Sequence, residues 1–353
     1  MDILKKVFGL FLIFLIAFVF SACKSKIDTS WIIKYDGKVM PIGIFKYYLK
    51  ESYNKAVDIL TAAGAYSQES TNDSIAGKSF DSWIRDDAVN SCKDLIALES
   101  LFNSEGLSFN EMENSEMKAN AENILATISQ NLEKNYLSLE DVKRAYSECK
   151  AMYKKLFDHY YKKGGSKFVT DDALLEYYKQ TYVSYSMVTV YPFMFSEFSG
   201  VESGSDPSLD QPNKTKSITE GYVNQINAGE KTLSDVSNTI NERSGKELGP
   251  PNVETVNIDS ANVPENILIK LKALDVGKAD YVQVDDFFVI LYKLNISDSL
   301  PDLGKEDVRD DILNCMKQNE FYDILAETKR NIRFEVNAEF LNSFVPKNIF
   351  KDS

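Results

Sequence analysis

Histidine is almost missing from this 353-residue chain: there is one, His159, and only four cysteines, Cys23, Cys92, Cys149 and Cys315. A single histidine cannot build a multi-histidine metal centre, and the cysteines lack metal-ligand spacing. No metal or other cofactor is expected. His159 lies among Tyr153, Phe157, Tyr160 and Tyr161, and its acidic neighbour in sequence is Asp158. General acid–base work needs a partner within hydrogen-bond reach, and adjacent helical residues point to different faces. His159 therefore reads as structural or exposed, and no catalytic residue is assigned. Basic residues are also short, 40 Lys+Arg against 53 Asp+Glu, a net charge of −13. Such a chain lacks the electrostatic footprint of a nucleic-acid binder. It has no glycine-rich phosphate loop, no internal repeat and no heptad seam of useful length. No apolar run reaches the roughly 20 residues of a membrane-spanning helix.

The longest apolar run is 7-VFGLFLIFLIAFVF-20, preceded by Lys5 and Lys6 and followed by 21-SAC-23. A basic start, a run of this length and small residues at its end describe an export signal over residues 1–22. Because the small residues end on cysteine, the segment resembles the bacterial lipobox, where cleavage precedes the cysteine and its thiol carries diacylglycerol. Cys23 is then the lipidation site, with Phe20 where that pattern usually has leucine. An uncleaved anchor with an incidental cysteine is the alternative. Either way the bulk of the chain lies in the cell envelope, facing the periplasm or the outside, with the membrane as one partner. Residues 23–30 form a polar tether.

The rest is long enough for about two domains, and 44% hydrophobic content is too high for a disordered chain. In 31-WIIKYDGKVMP-41 a strand meets an Asp36-Gly37 turn and a second short extended piece. A helix follows from about Ile44 to Ala63, then a loop over 64–79. From Phe80 to about Tyr161 the spacing predicts three helices. The first carries the apolar row Ile84, Ala88, Cys92, Leu95 and Phe102. Ser108 and Glu111 make a capping-box start for the second, whose apolar face is Met117, Ala121, Ile124, Leu125, Ile128 and Leu132. Ser138 caps the third, with the row Val142, Ala145, Cys149, Met152 and Leu156. Core packing is the reading for Cys92 and Cys149, with a disulfide between them as the alternative in an oxidising compartment. The break 163-KGGSK-167 ends this block.

A connecting helix over 169–182 leads into the β-branched and aromatic strand 183-VSYSMVTVYPFMF-195. A loop over 196–217 precedes helices near 218–227 and 233–241. Then come strand 253–258, helix 264–275 and 280-DYVQVDDFFVILYKLN-295, whose Asp285-Asp286 pair is a solvated turn. This order makes a small α+β domain. Helix 305–331 and strand 332-IRFEV-336 close the chain. Since a two-stranded hairpin is marginal alone, 332–336 is expected to pair with 31-WIIKY-35.

Three features together resemble the SurA/PrsA type of extracytoplasmic foldase: 31-WIIKYDGKVMPIGIFKYYLKESYNKA-56, the lead-in 171-DDALLEYYKQTY-182 after a helical block, and 274-LDVGKADYVQVDDFFVILYKL-294 closing a parvulin-like segment. The resemblance covers nearly the whole mature chain and rests on order and pattern. It implies an α+β fold: a mainly helical chaperone domain, 31–168 plus 303–345, with a parvulin-like domain, 183–297, inserted. Active parvulins carry a histidine on the first strand, another on the last, and an Asp or Cys between. Here the matching positions are Val188 and Thr189 on the first strand and Val289 on the last, and the segment has no cysteine. The polar machinery of the family's site is absent.

The function implied is a membrane-tethered chaperone for unfolded or nascent exported polypeptides, without isomerase catalysis. The Tyr/Phe-rich first strand supplies the client-contact candidates Tyr185, Met187, Tyr191, Phe193 and Phe195, tyrosine offering apolar area with a polar tip. The alternatives are an active peptidyl-prolyl isomerase, since X–Pro rotation needs no proton transfer, and a solute-binding or adhesin lipoprotein of the envelope.

Overall fold

Asp36 and Gly37 both have positive φ, +44° and +79°, the backbone of a tight hairpin turn. They join β1 (Ile33–Tyr35) to β2 (Lys38–Val39). The computed structural model describes residues 28–65, 74–128, 136–191, 207–244, 250–259 and 263–350. Cys23 and the expected export signal lie outside them. The chain is an α+β protein that folds as two units, 1–166 with 319–353 and 167–318.

In the first unit, β9 (Phe334–Val336) pairs antiparallel with β1, Ile33 opposite Val336 and Tyr35 opposite Phe334. The hairpin thus gains the third strand that its marginal size requires. Helix α1 (Ile42–Ala62) packs along α2 (Phe80–Ser104), and the chain end crosses both. Phe344 meets Phe45 at 5.3 Å, Phe350 meets Tyr53 at 5.2 Å, and Arg85 donates to the Phe344 carbonyl at 2.9 Å. The expected loop 64–79 contains a small hairpin, β3 (Ser74–Ile75) and β4 (Lys78–Ser79), turning at Ala76-Gly77.

Helix α3 spans Glu111–Ile128. Its capping box is Asn110 with Glu113, not Ser108 with Glu111: the Asn110 side chain accepts from Glu113 N at 2.9 Å and Glu113 accepts from Asn110 N at 2.8 Å. The Phe109 ring stacks on Phe102 at 4.9 Å, which holds 107–110 out of the helix and moves the cap two residues on. Ser138 caps the next helix with Asp141 in a reciprocal box. That helix begins as α4 (Leu139–Val142), widens into a π-helical turn at Lys143–Glu148, and continues as α5 (Cys149–Tyr161). Such turns concentrate at functional sites. Gly43 of α1 lies where any Cβ would run into the Asp141 side chain, so glycine permits this approach of helices.

The second unit opens with α6 (Asp171–Thr181), N-capped by the Thr170 side chain. Its four-stranded antiparallel sheet has the order β6-β5-β8-β7, with β5 Tyr182–Val190, β6 Asn252–Asn257, β7 Ala279–Val284 and β8 Phe287–Lys293. Between β5 and β6 run α7 (Pro207–Asn227) and α8 (Leu233–Ser244). The expected loop 196–217 is therefore helical from Pro207, which suits the first position of a helix. On one sheet face, Val188, Val190, Phe288 and Ile290 pack against Tyr222, Ile226, Val236 and Ile240 of those helices. On the other, Tyr185, Val289 and Leu291 pack with Ile267 and Leu271 of α9 (Glu265–Ala273). Helix α10 spans Glu306–Arg330.

Candidate functional site

Cross-strand register decides which of the expected site residues share a surface. Thr189 of β5 lies opposite Val289 of β8, and Val289 lies opposite Val282 of β7. Paired residues point to the same face, so Thr189, Val289 and Val282 make one row across three strands. Val188 does not join it. With the period of two along a strand, its side chain turns to the opposite face and is buried against α7 and α8.

Val289 is itself only 4% exposed. Around it, Met187, Thr189, Val284, Phe287 and Tyr191 are half-buried, and the Tyr191 ring packs on Phe287 at 5.1 Å. Val282 is likewise buried, and both valines pack with Ile267 and Leu271 of α9, so the row is core apart from Thr189. What this end of the sheet exposes is the half-buried apolar and aromatic set around it, which carries the hydroxyls of Thr189 and Tyr191 and no carboxylate or amine. Asp285 and Asp286 are exposed in the β7–β8 turn, Asp285 at φ +48°, in a solvated turn.

Tyr185 departs from the expected contact set. It is 2% exposed, and its hydroxyl donates to Glu254 of β6 at 2.7 Å. Burial, with the Glu254 carboxylate beside it, pushes its phenol well above the usual range. It is a core residue tying β5 to β6, and its ring is not offered at the surface. Phe193 and Phe195 lie outside the described residues. Of the five candidates, Met187 and Tyr191 are partly exposed.

His159 is placed in the first unit, on α5, with its side chain 39% exposed. Its Nε2 lies 3.3 Å from the Glu105 carboxylate, and the neighbouring Tyr160 hydroxyl donates to the same group at 2.7 Å. The partner that sequence reasoning did not find stands 54 residues upstream, at the end of α2. This polar clamp joins α2 to α5. Cys92 is buried and Cys149 partly buried, both as free thiols, and burial pushes both thiols up. Among the described residues, no group of three His, Cys, Asp or Glu is placed to hold a metal, and no helix is long and apolar enough to cross a membrane.

No protein-family model matches the sequence, and no curated protein matches it. Among the solved structures it resembles are three PrsA foldases. The foldase protein PrsA from Lactococcus lactis aligns over 88% of this chain and 96% of that one, at 10% identity and a TM-score of 0.31. PrsA from Streptococcus pneumoniae aligns over 78% and 90%, at 15% identity and a TM-score of 0.27. For PrsA from Bacillus subtilis the shares are 70% and 83%, with 15% identity and a TM-score of 0.23. Agreement this loose carries no functional argument. The sheet and its side chains have to supply it.

Proposed function

We propose that the protein is an extracytoplasmic chaperone of the foldase type, which holds unfolded exported polypeptides and does not catalyse prolyl isomerisation. The observation that carries this reading is the half-buried patch of Met187, Thr189, Val284, Phe287 and Tyr191 lying beside the buried valines Val289 and Val282. An apolar and aromatic surface of this kind can hold polypeptide through area and shape, and it contains nothing to organise a polar network over a twisted X–Pro bond. In this proposal residues 31–168 plus 303–345 form the chaperone domain, and 183–297 form an inserted parvulin-like domain that retains shape without chemistry.

Uncatalysed X–Pro isomerisation takes tens to hundreds of seconds, and each tenfold acceleration requires about 1.4 kcal/mol of barrier reduction. Purified protein is expected to leave the isomerisation rate of a proline-containing tetrapeptide at its uncatalysed value. A strong acceleration that disappears on Val289→Ala would contradict the reading of this row.

The proposal also places the chain on a membrane through Cys23. The motive is the basic pair, the apolar run and 21-SAC-23. In cells, Cys23→Ala is expected to abolish incorporation of labelled lipid and to leave a slower-migrating precursor. Normal lipid labelling of that variant would rule Cys23 out.

A further inference from the structure

Helix α3 does not bury the face that its sequence marks as apolar. Met117 and Ala121 are buried, but Ile124, Leu125 and Ile128 are only half-buried. Between this face and the helix running through the π turn into α5 lies a groove of about 790 Å³, within the usual size range of ligand sites, about 300–1,000 Å³. Its apolar part is Phe109, Met117, Ile124 and Ala151, and its amides are those of Asn120 and Asn123.

The charges along the groove cancel. Glu113, Glu116 and Asp158 are equalled in number by Lys150, Lys154 and Lys155. Lys155 pairs with Glu113 at 2.7 Å and Lys154 with Asp158 at 2.8 Å, while Lys150 donates to the Tyr146 hydroxyl at 2.7 Å. The Lys155 hydrogen bond holds the Glu113 carboxyl below its ordinary range. The groove is thus electroneutral on a body of net charge −13. Ser147, in the π turn, lines it and is 5% exposed, and its hydroxyl has no hydrogen-bond partner among the described residues. A buried hydroxyl without a partner is rare in a finished core.

We propose that this groove is a binding site for short, uncharged, apolar-rich segments of unfolded polypeptide in extended form. This rests on the chaperone reading and assigns it a second surface, in the first unit. Charge complementarity selects the occupant. With no net charge, the groove offers an acidic or basic ligand no overall attraction, whereas a neutral backbone finds amides at the rim and apolar side chains find the floor. A folded, charged protein surface fits neither requirement. The alternative occupants, a second copy of this chain and an acidic peptide, are outcomes of the test.

The experiment uses the full mature chain carrying a photoreactive side chain at Asn120, in the groove, or at Glu122, exposed on another face of α3. The probes are a reduced, iodoacetamide-alkylated polypeptide, an uncharged apolar-rich peptide and an aspartate-rich peptide of equal length. Crosslinking is expected at 120 and not at 122, to the alkylated polypeptide and the uncharged peptide and not to the acidic one. Ile124→Asp is expected to weaken capture about tenfold, as a charge is set against apolar ligand. Asn123→Trp, at an exposed position, is expected to obstruct the groove with the fold intact by circular dichroism. Equal crosslinking at both positions, preference for the acidic peptide, or capture of a second copy of the chain would overturn the inference. Absence of crosslinking at 120 by a protein that still suppresses aggregation removes the groove and leaves the chaperone reading in place. Loss of both removes both.

Discussion

Phe321→Ala should lower the stability of the first unit by about 3–5 kcal/mol, the range for emptying an aromatic site in a packed core. The ring is fully buried. It meets Tyr153 at 4.9 Å and Phe157 at 5.6 Å, both edge-on, with Tyr160 and Tyr161 at 6.2 and 6.4 Å. Edge-on aromatic pairs add to plain area burial, and four rings surrounding one position leave little room for the site to collapse after truncation. Trp31 and Trp83 are the only tryptophans and both lie in this unit, so a denaturant titration followed by tryptophan fluorescence reports on it. The midpoint should fall far below that of Met112→Ala, a substitution at a position 68% exposed. Equal midpoints for the two variants would show that the ring cluster does not hold this unit together.

The second large effect concerns the π turn. Arg144 donates to both oxygens of Glu99 on α2, at 2.6 and 2.8 Å, with both side chains mostly buried. Arg144→Met should destabilise the first unit by about 2 kcal/mol, less than the 3–5 kcal/mol for a fully buried pair because water still reaches this one. The cost comes from stranding the Glu99 carboxylate. Adding Glu99→Met should therefore recover most of it, since replacing both partners by apolar groups of similar shape is close to neutral. Urea midpoints of the wild type and the two variants give the comparison. A double variant as unstable as Arg144→Met would mean that the arginine acts by packing, not by answering the carboxylate.

Local chemistry made much of the fold legible. Asp36-Gly37 announced its turn, Ser138 its cap, and the isolated hairpin at 31–39 its need for a third strand, which 334–336 provides. Where two local signals competed, sequence could not choose between them. Ser108-Glu111 and Asn110-Glu113 are both plausible boxes, and only the stacking of Phe109 on Phe102 selects the second. The start of α7 was missed because its first residues are polar and carry no apolar period. The site was less legible than the fold. Alternation along β5 separates Val188 from Thr189, but burial of Tyr185 depends on α9 and Glu254, which are distant in sequence. The Glu105 partner of His159 and the half-buried stripe of α3 are likewise products of packing. The stripe reads as core in sequence because periodicity shows that a face is apolar, not whether anything covers it.

The central claim is that the protein holds unfolded polypeptide by surface alone. The most direct measurement is light scattering from a reduced, aggregating polypeptide mixed with increasing amounts of the purified mature chain. The account predicts that aggregation is delayed in proportion to the amount of chain added. Scattering that rises at the same rate with and without the protein, at every ratio up to a large excess, would contradict it.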